Sequence, residues 1–164
     1  MRQKGYTLIE ILVALPIGAV LLLVVVASYF QIVQAKAEIG QKSIALAELD
    51  NAIHWLSGDL VMAQSTDLVE EAAPVSSMSL EWKDLTHWAA DQGAIDHTIS
   101  YVLFENQLQR NYDGQFTIVA RNITQADFSF ANREFTVKLT SQPGLPGSAV
   151  TRTITSEMRT DPLP

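Results

Sequence analysis

The chain has 164 residues, 48% hydrophobic and 18% charged, with 18 acidic against 11 basic side chains. Its net charge of −7 argues against nucleic-acid binding, because phosphate contacts need a basic face. The absence of cysteine excludes a disulfide scaffold, thiol catalysis and cysteine-ligated zinc.

The hydrophobic excess is concentrated near the N-terminus. No Asp, Glu, Lys or Arg occurs from Ile11 to Ala35. Roughly 20 apolar helical residues cross a bilayer core of about 30 Å, so this run is long enough to span. Arg2 and Lys4 precede it with no acidic residue between them, which favours a cytoplasmic N-terminus and an exported C-terminal part. A cleaved secretory signal would have a shorter apolar region and a small-x-small site, and neither is found before the helical pattern resumes at Lys36. A plain signal anchor is the simplest reading, and Glu10 argues against it. This residue lies at the cytoplasmic edge, between Leu8-Ile9 and Ile11-Leu12-Val13. An ionised carboxylate inside hydrocarbon costs about 2.5–3.5 kcal/mol on insertion scales, less near the interface, so Glu10 needs a partner.

The segment Gly5-Tyr6-Thr7-Leu8-Ile9-Glu10-Ile11-Leu12-Val13-Ala14-Leu15 resembles the N-terminus of type IV pilins and of the pseudopilins of type II secretion systems. The shared pattern is a short basic leader, Gly, an aromatic or Met residue, Thr-Leu-hydrophobic-Glu and an apolar helix. The resemblance implies that a prepilin peptidase cuts after Gly5 on the cytoplasmic side, and that Tyr6 becomes the mature, N-methylated N-terminus. Tyr stands where family members more often carry Phe. A glycine before the scissile bond lets backbone approach the protease closely, since it has no Cβ. Cleavage frees an α-amine, and in a stack of subunits that amine can pair with Glu10 of a neighbour. An ion pair in apolar surroundings sets register more than it adds stability, which makes Glu10 the expected assembly residue.

Pro16 and Gly18 interrupt the apolar run. Proline has no N–H for the carbonyl of Leu12 and its ring crowds that turn, so a helix kink is expected at Pro16. Many pilins carry a helix-breaking proline further along this segment.

After Ala35 the pattern stays helical and becomes amphipathic. Ile39, Leu46, Leu49, Ile53, Leu56 and Leu60 draw one apolar stripe, opposite Lys36, Glu38, Gln41, Lys42, Glu48, Asp50 and Asn51. Gly40 and Gly58 weaken an isolated helix, so packing of the stripe on a sheet is expected rather than a coiled coil. Residues 65–74 read as a linker. Met78, Leu80 and Trp82 alternate with Ser79, Glu81 and Lys83, the pattern of a half-buried strand. Strands at 98–104 and 107–112 flank Glu105-Asn106 as a two-residue hairpin, and Asp113-Gly114 marks a turn into 116–120. Further strands are expected at 127–130, 134–140 and 149–158, the last two joined by a loop over 143–147. The order implies an α+β fold: a long N-terminal helix, membrane-spanning in its first half, packed on a small antiparallel sheet.

That order resembles the larger minor pseudopilins, particularly the J class of type II secretion, and equally the minor type IV pilins that act as priming subunits. Trp55-Leu56-Ser57-Gly58-Asp59-Leu60 is similar to their Leu-x-x-Asp-Leu segment. Ile99-Ser100-Tyr101, Leu108-Gln109-Arg110 and Asp113-Gly114 are similar to their central hairpin.

No other polar pattern points to chemistry. His54, His87 and His97 lack close ligand spacing, so no metal site is expected there. Asp84, Asp91 and Asp96 gather with His87, His97 and Gly93 in a loop whose spacing is not diagnostic, which leaves calcium open. Trp82 and Trp88 read as core or interface aromatics. Asn122-Ile123-Thr124 matches a glycosylation sequon but reads as a turn. No Gly-x-Ser-x-Gly elbow or Gly-rich phosphate loop occurs, and neither catalysis nor a cofactor is expected.

The expected organisation is a leader at 1–5, a transmembrane segment at 6–35, an amphipathic helix half at 36–64 and a β-rich exported domain at 65–164. Lacking cysteine, the chain must hold its C-terminal hairpin by strand pairing alone. The expected function is that of a minor pilin or pseudopilin, a structural subunit held in the cytoplasmic membrane and assembled through its helix. Its expected partners are the prepilin peptidase, other pilin or pseudopilin subunits and the membrane. The alternative is a membrane-anchored extracytoplasmic binding protein or enzyme with a plain signal anchor.

Overall fold

The computed structural model describes residues 7–84, 95–144 and 147–159. Among the described residues the element order is one helix followed by eight strands, an α+β arrangement. Helix α1 is Leu8–Met62, and it continues without a break through Pro16. The chain divides into two compact units, Met1–Gly40 and Gln41–Pro164.

Within the first unit, every described residue is solvent-exposed. This part of α1 carries a window of mean hydropathy 2.9, and it is apolar and long enough to cross a membrane.

Within the second unit, α1 buries Ala45, Leu49, Ala52, Leu56, Asp59 and Leu60 against antiparallel sheets. The buried line is rotated from the expected stripe. Ile39 is 68% exposed and Leu46 and Ile53 are only half-buried, while Ala45 and Ala52 lie in the core. Small side chains at 45 and 52 let the helix approach the sheet closely, so the line of closest packing follows the alanines rather than the largest residues.

Two sheets share the core with α1. The first has the order β1 (Ser65–Thr66), β2 (Ser77–Asp84), β3 (Ile95–Phe104), β4 (Gln107–Tyr112), β5 (Gln115–Arg121). The second has the order β6 (Ile123–Ala131), β7 (Glu134–Ser141), β8 (Val150–Glu157). The sheet expected as one is therefore two, and every ladder in both is antiparallel. The break falls at Asn122, whose left-handed φ of 57° turns the chain out of the first sheet. Of the expected turn at Asn122-Ile123-Thr124 only Asn122 bends the chain, and Ile123 and Thr124 already belong to β6. The core cluster joins Leu49, Leu56 and Leu60 of α1 to Leu80, Ile99 and Leu108 of the first sheet and to Phe128, Phe135 and Leu139 of the second.

The hairpin turns follow the chemistry of their residues. Glu105-Asn106, Asp113-Gly114 and Asn132-Arg133 each have both central residues at positive φ, the geometry that matches strand twist in two-residue loops. Between β4 and β5, Leu108 pairs with Ala120 and Gln109 with Ile118, so Val119 is an extra residue in a bulge. The bulge brings two consecutive residues, Val119 and Ala120, into the core of an otherwise exposed edge strand. Two helix residues expected on the solvent face secure that edge. Asn51 Nδ2 donates to the Val119 carbonyl at 2.6 Å, and the Arg121 N–H donates to Glu48 Oε2 at 2.7 Å.

Residues 65–74 are stitched down rather than free as a linker. Ser65 and Thr66 pair with Glu81 and Leu80, and the Glu71 N–H donates to the Phe130 carbonyl at 2.9 Å. Val75 and Phe128 exchange both backbone hydrogen bonds, at 3.0 and 2.8 Å. The cause is β6, an edge of the second sheet, whose open N–H and C=O groups need a partner.

Candidate functional site

The start of α1 is closed by a reciprocal pair. Thr7 precedes the first helical residue, and Glu10 occupies the third position of the first turn. The Glu10 carboxylate accepts the Thr7 N–H at 2.9 Å and the Thr7 hydroxyl at 3.1 Å, while the Glu10 N–H donates to Thr7 Oγ1 at 3.4 Å. This is a capping box, satisfying donors that a helix start would otherwise leave open. The negative charge also sits at the positive end of the helix dipole. The partner that Glu10 requires is therefore available within one chain. Thr-x-x-Glu ahead of an apolar run is the local sequence signal for this box.

Glu10 heads one face of α1 that continues through Ile11, Ala14, Leu15, Gly18, Ala19 and Leu22. Ala14 and Gly18 stand one turn apart on this face, and small residues at that spacing let another helix come close. Pro16 lies inside α1. Gly5 and Tyr6, the expected cleavage and methylation residues, lie outside the described residues.

A second polar constellation lies in the unit beyond Gly40. Asp59, in the last part of α1, is 4% exposed. Arg110 on β4 grips its carboxylate with two bonds, Nε to Oδ2 at 2.6 Å and an outer guanidinium nitrogen to Oδ1 at 2.9 Å. The Tyr101 hydroxyl on β3 donates to the same Oδ2. Tyr101 and Arg110 are direct cross-strand partners, so the two donors reach one carboxylate from adjacent strands. The last turn of α1 has no basic residue, and Arg110 supplies the positive charge from the sheet. Arg110 also lies over the rings of Trp55, at 5.1 Å, and Tyr112, at 4.9 Å. Burial and the neighbouring carboxylate push the Tyr101 hydroxyl far above its ordinary range. Arg110 is held above its ordinary value mainly by its hydrogen bond to Asp59.

Spacing contained half of this. Asp59 falls three residues after Leu56, on the apolar line of α1, and a carboxylate there requires a partner. Nothing local says that the partners are Tyr101 and Arg110.

Next to the clamp, His97 on β3 is stacked between Trp82, at 4.6 Å between ring centres, and Tyr112, at 5.5 Å. His97 Nδ1 lies 2.6 Å from Asp113 Oδ2, and the Thr98 N–H donates to Asp113 Oδ1 at 2.9 Å. The bond to His97, followed by that from Thr98, holds the Asp113 carboxyl below its ordinary value. Trp82, expected as a core or interface aromatic, is partly buried against the core and stacks on His97. Of the residues considered for calcium, Asp91, His87 and Gly93 lie outside the described residues, as does Trp88, while Asp84 ends β2 and Asp96 and His97 lie on β3 rather than in a loop. Among the described residues no group of three or more His, Asp or Glu is arranged to hold a metal ion.

Residues 1–26 match the family model of the prokaryotic N-terminal methylation motif. The chain carries this methylation motif. The match spans Arg2, Lys4, Gly5, Tyr6, Thr7, Glu10 and the first turns of the apolar helix, and it is consistent with a type IV pilin-like protein. No curated protein and no solved structure matches the chain. The methylation motif thus bears on the N-terminal segment alone.

Proposed function

We propose that this chain is the precursor of a minor pilin or pseudopilin, processed by a prepilin peptidase between Gly5 and Tyr6, methylated on Tyr6 and assembled through α1. The observation that carries the reading is the coincidence of a methylation motif over residues 1–26 with a capped apolar helix whose first turn holds Glu10. In this reading residues 1–5 are the leader, residues 6–35 anchor the subunit once across the cytoplasmic membrane with the N-terminus inside, and the β-rich part is exported. Glu10 exchanges its Thr7 partner for the freed α-amine of a neighbouring subunit as the filament forms. The face running from Glu10 through Ala14 and Gly18 is where that neighbour's helix packs, and Pro16 adjusts the course of α1 within the assembly. The filament is a type IV pilus or a type II secretion pseudopilus, and the J-class likeness favours a minor subunit near its tip.

The experiment is co-expression with a prepilin peptidase. The chain is expected to shorten by its five-residue leader only when an active peptidase is present, and Gly5→Leu is expected to stay full length. Peptidase-independent length would contradict the reading and favour the plain anchor.

A further inference from the structure

The edge of a sheet is a row of open backbone donors and acceptors, and proteins blunt such rows by shortness, cover or charge. Three of the strands that end the two sheets are treated in this way. β1 is only two residues long, β6 is covered by bridges from Glu70 and Val75, and β8 carries Arg152 and Glu157. β5 is different. Its stretch Gln115-Phe116-Thr117-Ile118 is uncharged and exposed throughout, with Phe116 at 71% and Ile118 at 44%. Aromatic and β-branched residues of this kind favour strand pairing. Among the described residues α1 bonds to β5 at Val119 and Arg121, through Asn51 and Glu48, beyond this stretch.

The hairpin decides which backbone groups of β5 face outward. A two-residue loop is closed by a pair of residues that exchange hydrogen bonds, and such pairs alternate along an antiparallel ladder. Tyr112 and Gln115 close the Asp113-Gly114 turn, so Gln115 and Thr117 direct their N–H and C=O groups at β4. Those of Phe116 and Ile118 therefore point to the open side. The Arg121 N–H points the same way, to Glu48. Ile118 also stands in one cross-strand row with Gln109 and the exposed Val102, so its side chain lies on the outer face of the sheet.

We propose that β5 pairs with β5 of a second copy of this chain, antiparallel about Thr117. In this register Phe116 of each copy lies opposite Ile118 of the other, and the two exchange both backbone hydrogen bonds. The outward groups are thereby used, and those of Val119 and Arg121 stay with α1. The side chains meet as aromatic–β-branched pairs on one face. Charge selects a second copy as the occupant. The neutral stretch 114–120 has Asp113 at one end and Arg121 at the other. Antiparallel pairing about Thr117 sets each Asp113 toward the Arg121 of the other copy, whereas parallel pairing sets like charges side by side. The edge is thus complementary to itself, as a two-fold contact requires. This pairing does not depend on processing at Gly5.

The test is disulfide cross-linking of the full chain in membranes, with copper phenanthroline as oxidant, because the chain has no cysteine of its own. Thr117 is exposed, so Thr117→Cys leaves the core untouched. On the two-fold the Cα atoms at 117 are about 4.5 Å apart, within disulfide reach. Thr117→Cys is expected to give a covalent dimer. The Cα atoms at 115 are roughly 14 Å apart in this register, so Gln115→Cys is expected to stay monomeric. Ile118→Lys, added to Thr117→Cys, puts a charge on the edge and is expected to abolish the dimer. No dimer from Thr117→Cys, or an equal yield from Gln115→Cys, would overturn the proposal. So would cross-linking of Thr117→Cys to a different protein, which would assign the edge to another strand.

Discussion

Arg110 of β4 holds the buried carboxylate of Asp59 in α1 by two hydrogen bonds, 2.6 and 2.9 Å long. These residues are 51 positions apart, and their bond fixes where the end of the helix rests on the first sheet. A buried pair of this kind adds little net stability over an apolar pair, yet losing one partner leaves a charge in the core.

Arg110→Ala is therefore expected to cost about 3 kcal/mol, and Arg110→Lys less, since an ammonium keeps the charge without the planar fork. For a chain of this size, about 3 kcal/mol corresponds to roughly a 6–12 °C fall in Tm. Thermal unfolding of the full chain in detergent checks the order wild type, Lys, Ala. An unchanged midpoint in Arg110→Ala would show that the clamp carries no stability.

The same clamp bears on alkaline behaviour. The Tyr101 hydroxyl is raised far above its ordinary value, so its contribution is present below the unfolded tyrosine value near 10 and is lost only as pH rises toward the folded one. In a spectrophotometric titration, one of the four tyrosines is expected to stay protonated until the domain unfolds. Tyr101→Phe is expected to abolish that late step.

At acid pH the sign reverses. Asp113 is lowered by His97 and by the Thr98 N–H, so its contribution is present above the unfolded aspartate value near 4 and fades as pH falls through the lower folded value. Urea midpoints measured from pH 5 to pH 2.5 are expected to fall less steeply in Asp113→Asn than in the wild type. Parallel slopes would remove Asp113 from the acid response.

Thr7 and Glu10 can be separated by mutation. Thr7→Ala breaks the capping box but keeps the carboxylate, and loss of such a cap costs about 1 kcal/mol of helix stability. Glu10→Gln keeps side-chain acceptor capacity but removes the charge. If pairing with a neighbour's amine drives assembly, Glu10→Gln is expected to be processed yet absent from sheared filaments, while Thr7→Ala is still incorporated. Equal incorporation of both variants would reduce Glu10 to a capping residue.

Much of this architecture was readable from local pattern. Met78, Leu80 and Trp82 announced β2 by alternation, Asp113-Gly114 announced its turn, and the charge-free run from Ile11 announced the apolar helix. What escaped depends on contacts across the fold. Nothing near Asp59 names Arg110, and nothing near Val75 names Phe128, yet those partners anchor the helix end and turn the expected linker into covered edge. The buried line of α1 is not legible from hydrophobic size, because closeness of approach decides it: Ala45 and Ala52 are fully buried while Ile39 is exposed. The Thr7–Glu10 box is local and legible, since Thr-x-x-Glu sets a carboxylate beside the open donors of a helix start.

Maturation as a pilin-like precursor is tested most directly by the mass of the N-terminal peptide of the membrane-extracted protein. A peptide beginning at Tyr6 and carrying one methyl group on its α-amine is the predicted result. A peptide still beginning at Met1 in cells with an active prepilin peptidase would contradict the account.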